Sequence, residues 1–333
     1  MSGQSSLASV PDHASGKSLA GQTRWRGLVS FAQIGVAFVA LLLLGSYLSP
    51  DFASAGNFRN LLNQTSILGV LALAQFLVVL IGGFDLSVAA VLALSSVIVA
   101  AEAPHVGFGL AGLAAILAGL VLGAVSGVAS TVGRVPPLIA TLGVAGIARG
   151  LAFVVTLKSL LVPIAITNPL QVTLGVFTTT TMAWLALTVV IALMLEFTVT
   201  GRRLYAIGGN ERASRLAGIP VTRLKIATYS VAGGLSALGG VLFVIRSSSG
   251  VPHVGAGWEL ESIAGIVIGG TQLFGGEGNV IEAMLGVLIY QMISNLMNLV
   301  AINPYYQDIV QAAVIVAVVG ASALRAGWKG KRT

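Results

Sequence analysis

Few side chains in this 333-residue chain are equipped for chemistry, and Asp85 stands out among them. It lies in Gly82-Gly83-Phe84-Asp85-Leu86-Ser87, between two apolar runs. An ionised carboxylate in such surroundings is costly unless it is satisfied. Asp85 can cap a helix by accepting from the amides of Ser87 and Val88. It can equally form a polar hinge beside a solute path, and the two roles are compatible. Amides recur in other apolar runs: Asn60, Asn63 and Gln64 with Thr65 and Gln75, then Gln291, Asn295 and Asn298. Asn60, Asn63 and Gln64 approach helical spacing, as do Gln291, Asn295 and Asn298, and each trio so forms a stripe on one helix face. In lipid a polar stripe must face protein or water. It either joins helices by hydrogen bonds or lines a pathway for a hydroxyl-rich solute.

Other residue types are missing or misplaced for catalysis. Cysteine is absent, which excludes disulfides, thiolate metal sites and a cysteine nucleophile. His13, His105 and His253 are far apart, without ligand spacing or an HExxH pattern. No Ser/His/Asp set is suggested. Pro11 to Ser18, PDHASGKS, ends like a phosphate-binding loop but lacks its leading glycine and a preceding strand. Gly107 to Gly112, GFGLAG, fits GxGxxG by letter, yet lies in an apolar run with no βαβ context. The chain is therefore expected to bind no metal, nucleotide or cofactor of its own and to make no bonds.

Composition identifies the solvent of the elements that carry these residues. The chain is 56% hydrophobic and 9% charged, with a mean hydropathy of +0.95. Soluble globular proteins are about a quarter charged, so lipid is the expected medium. Apolar runs of about 20 residues read as membrane helices. Ten crossings are expected: about Leu28–Leu48, Leu61–Ile81, Leu86–Ala101, Phe108–Ser130, Leu138–Thr156, Met182–Thr200, Ile226–Ile245, Ile263–Leu273, Val280–Val300 and Tyr305–Leu324. The eighth is too short to span alone.

The net charge of +7 does not point to nucleic acid, because the basic residues are segregated. Thirteen of the 18 fall in three groups: Lys17, Arg24 and Arg26; six between Arg202 and Lys225; and Arg325, Lys329, Lys331 and Arg332. Basic loops stay on the cytoplasmic side, so both termini and the central loop are expected there. Residues 1–27 read as a disordered cytoplasmic tail, 28–324 as the membrane domain and 325–333 as a basic cytoplasmic tail.

The central loop, residues 201–225, carries a short helical pattern. Asn210 can cap its start, Glu211 sits in the first turn, and Leu216 with Ala217 makes a small apolar face. Gly218 suits the C-terminal cap and Pro220 stops the helix. A short capped helix under a membrane bundle suits docking of a cytoplasmic partner. Arg212 and Arg215 could meet acidic groups on it.

Two stretches, LVVLIGGFDLSVAAVLAL and IAGIVIGGTQLFGGEGNVIEAMLGVLI, both set a glycine pair between an apolar run and a second helix. Interrupted helices at matching positions of two halves suggest a transporter core. Gly119, Gly123 and Gly127 form a ladder of small residues, and Gly146 with Gly150 another; such ladders allow close helix approach. Arg149, within the fifth run, is expected to snorkel or pair.

Several stretches together resemble one family. NLLNQTSILGVLALAQFLVVLIGGFDLSVAAVLALSSVIVA is similar to the second and third spans of ribose/xylose/arabinose/galactose-type ABC permeases. Further matches are GRVPPLIATLG, GRRLYAIGGNERASRLAGIPVTRLK, ELESIAGIVIGGTQLFGGEGNVIEAMLGVLI and YYQDIVQAAVIVAVV, covering most of Asn57 to Val319.

The resemblance implies an all-α integral membrane protein of about ten transmembrane helices, with the type II ABC importer fold of the vitamin-type importers. It implies a bacterial inner-membrane permease subunit paired with a second copy or a paralogue. Its other partners would be a cytoplasmic ABC ATPase subunit, which holds ATP and Mg, and a periplasmic sugar-binding protein. The family's ATPase-contacting loop maps onto Gly209, Asn210, Glu211, Arg212, Ala213, Arg215, Leu216, Ala217, Gly218 and Ile219. The implied cargo is a monosaccharide like ribose, xylose or galactose. Sibling permeases take nucleosides, polyols or autoinducer-like sugars. An ion-coupled carrier would need a charged partner for Asp85, and none is evident. One departure is the connection Leu157 to Thr181, which is short and reads KSLLVP where the family commonly has a TxG-type stretch.

Overall fold

Helix α1 (Gly16–Leu48) stops just before Pro50, and the chain turns through Ser54, whose hydroxyl accepts from the Asn57 amide at 3.1 Å. That cap starts α2 (Ala55–Leu80), six residues upstream of the expected Leu61. The computed structural model describes residues 16–330, so the first part of the expected disordered tail, residues 1–15 with the start of the PDHASGKS segment, lies outside it, whereas residues 16–27 of that tail are helical and belong to α1.

After α2 the backbone breaks at Gly82–Ser87 and resumes in α3 (Val88–Val106). The helices α4 (Phe108–Thr131) and α5 (Pro137–Val155) follow, separated by a Pro136-Pro137 turn. The polar connection then folds as β1 (Leu160–Leu161), α6 (Ile164–Thr167), β2 (Thr173–Leu174) and β3 (Phe177–Thr178). Next come α7 (Thr179–Phe197), α8 (Val199–Gly209), α9 (Glu211–Leu216) and α10 (Val221–Ser247). The last elements are β4 (Ser249–Gly250), α11 (Trp258–Ile268), α12 (Val280–Leu299) and α13 (Pro304–Gly330).

The fold is thus helical, with two small antiparallel pairs the sequence did not announce. One joins β1 to β4, Leu160 opposite Gly250; the other is the β2–β3 hairpin, Thr173 opposite Thr178. Seven helices among the described residues are long and apolar enough to cross a membrane: α2, α3, α4, α5, α7, α10 and α12. The first run is represented by a shorter apolar stretch, Ala32–Leu48. Helix α11 has 11 residues, about 16 Å at 1.5 Å per residue, so it reaches only about halfway through a 30 Å hydrocarbon core. It starts five residues before the expected Ile263 and hands over to α12 through the Gly269–Asn279 turn.

Helix α2 is the axis: 89% of its most apolar window is buried, against 28% for α4 and for α5 at the rim. The α4 glycine ladder lies directly against α10. A Cβ on Gly123 would overlap the Tyr229 carbonyl, and one on Gly127 would stand 2.8 Å from the Ile226 Cα. The second ladder differs: a Cβ on Gly146 or Gly150 would meet nothing within 4 Å, so this α5 face has no neighbour among the described residues.

Candidate functional site

Asn210 joins two helices with one residue. Its backbone is extended (φ −159°, ψ 100°), its amide closes α8 on the Ala206 carbonyl, and its side-chain oxygen accepts from the Ala213 amide at 2.9 Å to open α9. The far end of α9 closes with a Schellman pair, Gly218 N–H to Arg215 O and Ile219 N–H to Ser214 O, both 3.1 Å. Gly218 has φ +78°, where an L side chain would be strained. The short capped helix expected from Asn210, Glu211 and Gly218 is therefore present.

Its charges are organised inward as well as outward. Glu211 bridges Arg215 at 2.7 Å and Lys225 at 2.9 Å. Burial pushes the Glu211 carboxyl up, but the hydrogen bonds and charges of Arg215 and Lys225 outweigh it and hold it below the usual carboxylate range. Arg212, Ala213, Ala217 and Gly209 are exposed, and Leu216 is 85% exposed at the helix tip. A shallow groove lined by Arg215 and residues 218–223 runs beside it.

Asp85 is fully buried. Its Oδ1 accepts from the Ser87 amide at 2.8 Å and the Ser87 hydroxyl at 2.5 Å. The cap reading is amended in one detail: Ser87, not Asp85, occupies the N-cap of α3, and Asp85 receives no bond from Val88. Asp85 therefore pins the turn rather than the helix. Its Oδ2 has no partner among the described residues. Leu86 N–H reaches the Thr141 hydroxyl at 3.1 Å, tying this turn to α5.

The amide stripes separate in the structure. Asn295 exchanges two hydrogen bonds with Asn57, each 2.9 Å, and joins α12 to the start of α2. Asn63 accepts from Thr180 at 2.7 Å and Thr178 at 3.3 Å, while its carbonyl accepts from Arg246 at 3.3 Å. Asn298 accepts from Gln307 at 3.0 Å. Asn60 is exposed, and Gln64 and Gln291 are half-buried. Gln75 is fully buried, with neither amide atom partnered among the described residues. Arg149 donates to the Pro252 and Val254 carbonyls at 3.0 and 3.1 Å.

Sequence reasoning missed α8, treating its residues as loop. The missed signal was Thr198, whose hydroxyl accepts from the Gly201 amide at 3.1 Å and caps the helix start. It also missed Tyr205, whose hydroxyl donates to the Gly278 carbonyl at 2.8 Å. Thr198 starts α8, and Tyr205 ties it to the turn between α11 and α12.

A family model described as "Branched-chain amino acid transport system / permease component" matches residues 57–319. That interval holds the whole bundle from α2 to the middle of α13, with both broken-helix turns and the capped helix. The chain belongs to this ABC-transporter permease family. It is also 39% identical over 298 residues to the ribose import permease protein of Escherichia coli K12, covering 85% of this chain and 91% of the relative. The Bacillus subtilis ribose import permease protein is 39% identical over 292 residues, covering 84% and 88%. The L-arabinose ABC transporter permease protein of Azospirillum brasilense is 32% identical over 315 residues, covering 93% and 92%. No solved structure matches. Family and apolar helices together make this permease a multi-pass membrane protein.

Proposed function

We propose that this permease is the membrane subunit of an ATP-driven importer for a monosaccharide, with ribose the first sugar to test. The observation that carries the reading is the 39% identity to ribose import permeases across nine-tenths of their length. The L-arabinose relative, at 32%, keeps a second pentose in view. Monosaccharides suit a route lined by neutral amides and hydroxyls, which offer adaptable hydrogen bonds to many hydroxyl patterns. Asn60, Asn63, Gln64, Asp85, Ser87, Gln291, Asn295 and Asn298 remain the proposed pathway or hinge groups. Asn57–Asn295 and Asn63–Thr180 already satisfy one another, so of these groups Asp85 has the strongest claim through its unpartnered Oδ2.

In this reading α9 faces the cytoplasm, as its basic surroundings require. A cytoplasmic ATPase subunit grips Leu216 and the arginines around it and holds the ATP and Mg. A periplasmic sugar-binding protein delivers cargo at the opposite end. A second permease copy completes the pathway in the inner membrane, with both termini cytoplasmic. The chain itself rocks between two accessibilities and breaks no bonds.

The test uses proteoliposomes holding permease and ATPase, loaded with ATP, with binding protein and labelled ribose outside. ATP-dependent accumulation, lost when the ATPase is omitted, is expected. Uptake that persists without the ATPase would sink the proposal. Unlabelled arabinose that competes as strongly as ribose would move the assignment to the second pentose.

A further inference from the structure

Three segments distant in sequence meet backbone to backbone at one point, and glycine makes the meeting possible. The Gly276 amide donates to the Leu80 carbonyl at 2.9 Å, which ties the turn between α11 and α12 to the end of α2. Beside that bond, a Cβ on Gly275 would stand 2.6 Å from the Gly82 nitrogen in the turn between α2 and α3. The last turn of α8 closes the junction. A Cβ on Gly208 would overlap both the Leu80 carbonyl and the Gly276 nitrogen, the two partners of the tying bond. Conversely, a Cβ on Gly276 would come within 2.7 Å of the Gly209 Cα. Every clashing atom is backbone, so no rotamer change relieves the overlap. Tyr205, one turn earlier on α8, holds the same turn through its bond to Gly278.

The far end of α8 is equally direct. Only the extended residue Asn210, capping both helices, separates it from α9. A displacement of α9 therefore reaches Gly208 through one short helix. There it acts on the ends of both interrupted helix pairs at once, because the Leu80–Gly276 bond makes them move together.

We propose that the Gly208 junction is the transmission contact of this permease, the point where movement of the docking helix is converted into simultaneous movement of both broken-helix turns. This rests on the importer reading above. Gly208 is a positioning residue: it touches no cargo, and its role is to let α8 lie close enough to push.

The experiment uses the full complex of permease, ATPase and binding protein in proteoliposomes and reads labelled ribose imported per ATP hydrolysed. Gly208→Ala should assemble and hydrolyse ATP within about twofold of wild type, yet lose at least about tenfold in ribose per ATP. Tyr205→Phe, which removes one hydrogen bond and no volume, should lower the ratio about two- to threefold. Gly109→Ala, whose added Cβ meets open space at the start of α4, should leave it unchanged. Should Gly208→Ala not assemble, an unchanged ratio in Tyr205→Phe overturns the proposal.

A second readout needs no sugar. Because the chain lacks cysteine, spin labels can be set at Phe274→Cys and Leu161→Cys, both sites exposed. Their separation should change on ATP binding in the otherwise wild-type complex and stay at its nucleotide-free value in Gly208→Ala. A Gly208→Ala complex that responds like wild type, or a wild type that does not respond, removes the junction from the mechanism. A wild type that responds to ATP yet imports no ribose removes the sugar assignment and leaves the junction standing.

Discussion

The reciprocal amide pair Asn57–Asn295 shows how a buried polar residue acts in this bundle. The two side chains exchange hydrogen bonds and Asn57 also donates to the Phe52 carbonyl at 2.9 Å, so removing Asn57 strands Asn295 and removing Asn295 strands the Asn57 oxygen. Asn295→Leu or Asn57→Leu should each lower stability by about 1–2 kcal/mol, whereas the double substitution should recover much of that loss. Thermal unfolding of the four proteins in detergent, read as a double-mutant cycle, checks this. Glu211 gives a pH dependence whose sign follows from its environment. Its carboxyl titrates lower folded than unfolded, so its contribution is complete above the ordinary value of about 4.3 and is lost as pH falls through the depressed one. Being partly exposed, its pair with Arg215 is worth about 0.3–0.5 kcal/mol. Exchange protection of the 211–216 amides, corrected for intrinsic pH effects, should fall below about pH 4 and be insensitive to acid in Glu211→Gln. The roles of Asn210, Glu211 and Gly218 were readable in the sequence because caps act over three or four residues. The stripe of Asn295 was readable only as a stripe, since spacing does not tell which helix it faces.

Helices were recognised where apolar length or small-residue spacing forces one outcome, and missed where polarity disguised them. Helix α8 hides behind Arg202 and Arg203, and the start of α11 behind Glu259 and Glu261, so both were read as loop. The two glycine ladders looked alike in sequence and part company in three dimensions: one meets α10, the other meets open space. Gly123→Ala should therefore displace α4 from Tyr229 and cost about 1–3 kcal/mol, the range for overpacking. Gly146→Ala should leave the isolated subunit's melting temperature unchanged. Equal melting of the two variants would show that the α4–α10 seam tolerates a gap. The matching glycine breaks after α2 and α11 were also visible as a repeat. Their physical contact was not, because neither stretch carries any residue type that names the other.

Seen whole, the permease inverts the arrangement of a water-soluble domain. Its most apolar spans, α4 and α5, are its least covered, while the less apolar α2 is nearly enclosed. Hydropathy here marks what touches lipid, and shape marks what touches protein. The connection after α5 shows the limit of that signal: its β-pairing with the chain beyond α10 depends on backbone partners 90 residues apart in sequence. The enclosed axis has an evolutionary corollary. In a saturation library selected for growth on the transported sugar, outward positions of α4 and α5 should accept nearly any oily residue. Positions along α2 should reject even conservative exchanges, so permissiveness would decline steadily from rim to centre.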